Sequence, residues 1–155
     1  MISNLIDFFG GLGGATAPQQ AAASEHAVRL AAAVLLVDVM RAEPTMNVAE
    51  RRAVCAALGQ RFSLTSDELA RLVELAEAEA KDAYDYHRFT SLLNDRFSQP
   101  EKIALVEAMW QVAYADAHLD AHENHVINKI AGLLHVTHGE YIGAKMRAKE
   151  AAGLG

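Results

Sequence analysis

Five times along the chain a helix-capping side chain stands three positions before a glutamate: Asn47–Glu50, Thr65–Glu68, Ser98–Glu101, Asp120–Glu123 and Thr137–Glu140. Such a pair satisfies orphan amides at a helix start in both directions, and here each precedes an apolar pattern of helical period. Ser24 is positioned to cap a further helix running to about Glu43, and YDYHRFTSLLNDRF (84–97) supplies a shorter one. That makes seven helices. Apolar residues are 52% of the chain, much of it alanine, and no stretch alternates as a strand. The expected fold is all-α, a seven-helix bundle.

At 155 residues the chain is the size of one domain. The Gly/Ala/Gln/Pro-rich stretch GGLGGATAPQQAAAS (10–24) predicts a flexible lead-in over 1–23, ahead of a helical domain over 24–155. ISNLIDFF (2–9) is expected to be a frayed or locally packed terminus, the alternative being a short amphipathic turn touching a membrane or partner. A net charge of -6 without a basic cluster argues against nucleic acid as a partner. LAAAVLLV (30–37) is too short to span a bilayer, so a cytoplasmic protein that is not an integral membrane protein is expected. The single cysteine, Cys55, precludes an internal disulfide and is expected to be a small buried hydrophobe.

The order of elements repeats. Residues 34–68 lie over 106–140 with a shift of 73, then 72 after one gap, so that Glu43 falls on Asp116, Asn47 on Asp120, Glu50 on Glu123 and Thr65 on Thr137. Each half is an apolar central helix, an acidic turn, a second helix and a capping box. Two such halves are expected to close on each other as one pseudo-twofold bundle.

The second acidic turn, DAHLDAHENH (116–125), carries the densest chemistry in the chain. Capping explains Asp120 and Glu123, and histidines on an exposed face are commonplace. Glu43 and Asp116 fit that account less well. Both are expected in the last turn of a helix, where the macrodipole already places negative charge. If the central helices pair, Glu43, Asp116, Asp120 and Glu123 form a candidate site for Ca²⁺ or Mg²⁺, which take oxygen ligands. His118, His122 and His125 would admit Zn²⁺ or another transition metal instead. The turn is no EF-hand, because Ala121 and Ile127 stand where glycine and glutamate are required. Asp38, inside the apolar VLLVDVM, is expected to pair with Arg41; the alternative is a buried carboxyl of raised pKa that joins the acidic cluster. Trp110 and Tyr114, spaced i, i+4, are expected in the core. No phosphate loop or nucleophile elbow is present, so a non-enzymatic protein is expected.

IALVEAMWQVAYADAHLDAHENHVINKIAGLLHV resembles the TerB-type tellurite-resistance family, whose hallmark is an acidic turn of the form aDGxhdxxE before an Ile/Leu-rich helix. The preceding YDYHRFTSLLNDRFSQPEKIALVEAMW is similar to a bacterial TerB-like branch of unassigned role, and the likeness spans about residues 25–147. The resemblance implies a pseudo-twofold seven-helix domain tied to tellurite and chemical-stress response, often near the inner membrane. It also implies divalent-metal binding by Asp116, Asp120 and Glu123, with Glu43 and Glu50 as first-half counterparts. Ala117 and Asn47 depart from that pattern, where the family has glycine and an acid. The expected function is a metal-binding or stress-sensing module. A docking adaptor with an acidic surface and no metal is the alternative, and a metal-dependent hydrolase a third.

Overall fold

The computed structural model describes residues 17–41, 48–81, 86–115 and 121–153, with the backbone alone over 17–23 and 121–122. The first helix, α1 (Ala17–Arg41), begins seven residues before the expected cap Ser24 and so takes in the end of the expected lead-in. Its opening residues APQQAAA explain this: proline is tolerated in a first helical turn, and alanine is the best helix former. From Ala27 to Met40 all but Arg29 and Asp38 are buried. The helix is therefore apolar on nearly every side, and α2 (Val48–Phe62), α3 (Ser66–Lys81), α4 (His87–Arg96), α5 (Gln99–Ala113) and α6 (Ala121–Leu133) all pack on it. The last helix, α7 (His138–Ala151), lies chiefly on α5, as α3 lies chiefly on α1. The described residues thus form seven helices and contain no strand, as the capping pattern predicts.

Three of the five boxes are seen complete. Thr65, Ser98 and Thr137 each accept from the amide of the glutamate three residues on, at 3.2, 3.3 and 3.2 Å. The glutamates accept in return from the cap amides at 3.0, 2.9 and 2.9 Å. These amide bonds favour the ionised carboxylates and hold Glu68, Glu101 and Glu140 below the usual range. Asn47 and Asp120, the caps of the other two boxes, lie outside the described residues.

Where α2 and α6 end, the backbone supports the repeat in a way the side chains do not announce. Ser63 and His135, at φ 50° and 60°, are the non-glycine residues of positive φ among the described residues, and they stand 72 positions apart. Each lies two residues before a capping threonine and closes a helix in the left-handed conformation that glycine usually supplies. At His135 the closing turn is held by the Val136 amide donating to the Ala131 carbonyl at 3.1 Å. His135→Gly removes the left-handed penalty and is expected to raise stability by about 0.5–1 kcal/mol, measured by denaturant unfolding. An unchanged or lower midpoint would mean that the histidine side chain compensates for its backbone.

Polar side chains tie the helix ends together. Asn94 Nδ2 donates to the Leu133 carbonyl at 2.9 Å, and Gln99 Nε2 donates to the His135 carbonyl at 3.1 Å and to Glu140 at 3.0 Å. Trp110 is fully buried, stacked on Tyr114 at 5.8 Å and edge-on to Tyr141 at 5.6 Å, as expected of a core pair. Cys55 is a free thiol that is only half-buried, packed against the margin of the core rather than inside it.

Candidate functional site

Helices α2 and α6, which follow the two acidic stretches, each have a glutamate as third residue, and these two glutamates are the informative part of the site. Glu50 on α2 and Glu123 on α6 are both 0% exposed. They are 73 positions apart, at corresponding points of the repeat. By contrast, Glu101 of a complete capping box keeps 38% of its side chain in solvent, and Glu68 is exposed. Capping requires only that a carboxylate reach back one turn at the surface. Full burial at both equivalent positions is more than capping needs. Val54 and Ile127, one helical turn further in each half, are likewise 0% exposed, so both helices present the same face to the interior.

Of the other expected ligands, Glu43, Asp116, His118 and Asp120 lie outside the described residues, and so does the side chain of His122. Helix α5 ends at Ala113 with Tyr114 as its C-cap, so Asp116 stands two residues beyond the cap and not in the last turn. The described part of α1 ends at Arg41, before Glu43. Among the described residues no three histidine, cysteine, aspartate or glutamate side chains converge as a metal-binding group.

Asp38 is corrected in its partner. Its carboxylate accepts a short hydrogen bond from the hydroxyl of Tyr86, at the N-cap of α4, while Arg41 acts on it only as a nearby charge. The ring of Tyr86 is covered by Lys129 Nζ of α6 at 5.4 Å, so the contact links α1, α4 and α6. Burial is the largest influence and raises the Asp38 pKa, opposed by the Tyr86 bond, Arg41 and Lys129. The Tyr86 hydroxyl is pushed up as well, first by burial and then by the carboxylate. A carboxyl whose folded pKa is raised binds its proton more tightly in the folded state, so its contribution to stability is lost as pH rises through that pKa. Relative to Asp38→Asn, the native chain is expected to lose stability over that interval and to run parallel outside it. Parallel curves throughout would show that Asp38 is not shifted.

One buried carboxylate escapes the sequence reading. Glu79 on α3 is 2% exposed and lies on the same face as the buried Leu72 and Ala76. The signal was available, since 72, 76 and 79 follow the i, i+4, i+7 spacing of an apolar stripe interrupted by a charge. No helix among the described residues is long and apolar enough to cross a membrane.

Taken together these features describe an all-helical domain in which two acidic turns each open a helix anchored by a buried glutamate. The chain belongs to the TerB family of tellurite resistance proteins, whose family model matches residues 29–146. That assignment makes this a tellurite-resistance-related helical domain. No curated protein and no solved structure matches the chain significantly.

Proposed function

We propose that this domain is a non-enzymatic module that binds a divalent cation at its paired acidic turns and serves in the response to tellurite or related chemical stress. The observation that carries the reading is the complete burial of both Glu50 and Glu123 at equivalent positions beside those turns. Their donor chemistry fits a hard cation, because carboxylate oxygens suit Ca²⁺ or Mg²⁺. In this reading the halves are related by a pseudo-twofold axis that brings Glu43, Asp116 and Asp120 to the same end of the bundle. The domain acts inside the cell, near the inner membrane through a protein partner. Metal content measured on protein purified without chelator is the direct test. A stoichiometric divalent ion that is lost in Glu50→Gln with Glu123→Gln supports the reading; metal-free protein that takes up no divalent ion sinks it.

A docking adaptor without metal is the second reading, favoured by Val48, which opens α2 beside the first acidic turn and is 65% exposed. In that case Val48→Asp abolishes partner capture, and the carboxamide substitutions leave it intact.

A further inference from the structure

Away from the acidic turns, α1, α2 and α5 fail to close on one another. Where they meet, Ala32, Ala57, Ala104 and Ala108 stand at positions that larger side chains would fill, over a floor that includes Leu36 and Leu58. The result is a mainly apolar cavity of about 290 Å³, just below the ~300–1,000 Å³ range of small-molecule sites, whose lining also includes Gln60, Glu107 and Gln111. It adjoins a polar cleft of about 640 Å³, and the two share Arg61, Phe62, Phe97 and Glu101 as a common wall. The guanidinium of Arg61 lies over both rings of that wall, 5.3 Å from the centroid of Phe62 and 5.0 Å from that of Phe97.

The charges around the two spaces leave a surplus. Glu25 is paired with Arg29 at 3.0 Å, Glu101 with Arg61 by a short bond, and Glu107 with Arg147 at 2.5 Å. Arg96 also lines the polar cleft, and among the described residues no carboxylate pairs with it. A surplus cation beside an apolar cavity stands out on a chain of net charge -6. Ser63, held at φ 50°, lines the same cleft and offers a hydroxyl donor. Arg61 is eleven residues beyond Glu50 on α2, roughly 16 Å along the helix, so this place is separate from the acidic turns.

We propose that the cavity and cleft together form a binding site for an amphiphilic carboxylate: an unbranched apolar tail between α1, α2 and α5, and the anionic head against Arg96 and Ser63. Apolar burial supplies most of the affinity, and a charge-assisted hydrogen bond to Arg96 fixes the direction of entry. The site is independent of the cation reading and stands or falls without it.

Calorimetric titration of the full chain with decanoate, below its micelle-forming concentration, tests the site against decanol, which lacks the charge, and acetate, which lacks the tail. Decanoate is expected to bind with unit stoichiometry, decanol about tenfold more weakly, and acetate not at all. Arg96→Gln, at an exposed position where folding is not at stake, is expected to weaken decanoate about tenfold and to leave decanol unchanged. Ala108→Leu, which narrows the cavity, is expected to weaken both, with its helical circular dichroism unchanged. Absence of decanoate binding, equal affinity for decanol, or undiminished binding by a folded Ala108→Leu variant each overturns the proposal.

Discussion

Trp110→Ala is expected to cost about 3–5 kcal/mol, on the order of 10 °C in melting temperature for a domain of this size. The indole is completely buried, sits between two tyrosine rings at 5.8 and 5.6 Å, and carries the Lys145 ammonium at 4.9 Å over its face. Alanine would leave a void bounded by α5 and α7, whose rigid helices can collapse only partly into it. Against a typical total of 5–15 kcal/mol, that loss is a large part of the whole. Among the described residues the indole N–H has no hydrogen-bond partner, so Trp110→Phe gives up packing alone and is expected to cost well under half as much. Equal losses for Phe and Ala would mean that the nitrogen does have a partner.

Saturating Ca²⁺ or Mg²⁺ is expected to stabilise the metal-free domain by about 2.7 kcal/mol at a hundred times the dissociation constant. The gain arises only if the folded state binds the ion, and it measures binding without any assay of activity. Glu50→Gln with Glu123→Gln preserves shape while removing both buried charges, so the variant is expected to show no gain. Asp116→Asn with Glu43→Gln is expected to abolish the gain as well, from the turns rather than from the helices. A variant that responds like the parent removes the carboxylates from the site. A parent that responds to no divalent ion removes the ion and leaves the adaptor reading.

The helices were legible because their starts are encoded locally: Thr65, Ser98 and Thr137 each need only a glutamate three residues away, and all three boxes formed. The start of α1 was misplaced because alanine and glutamine prefer the helix without marking where it begins, and the serine inside it carried a capping signal that went unused. Glu50 and Glu123 were readable as candidates but not as buried, since a capping-box glutamate has the same spacing whether it faces water or the interior. The partner of Asp38 was out of reach: Tyr86 is 48 residues away, and no local pattern competes with an arginine one turn on. Nor could the cavity be foreseen. Alanines that line a hollow and alanines that let helices touch are the same letters, and only the crossing of α1, α2 and α5 tells them apart.

The near-complete burial of α1 between Ala27 and Met40 has a consequence for how the chain comes to be folded at all. A stretch in which Arg29 and Asp38 alone escape burial has little water-facing surface with which to wait for its neighbours. It touches α2 and α3 from its own half and α4, α5 and α6 from the rest of the chain. Neither the stretch before α4 nor the one after it encloses this rod alone, so the first half made by itself would expose a long hydrophobic stripe and self-associate. The stretches before and after α4 are therefore not two folding units set side by side. They are expected to unfold in one cooperative transition, in which a loss at either end is felt through the rod they share.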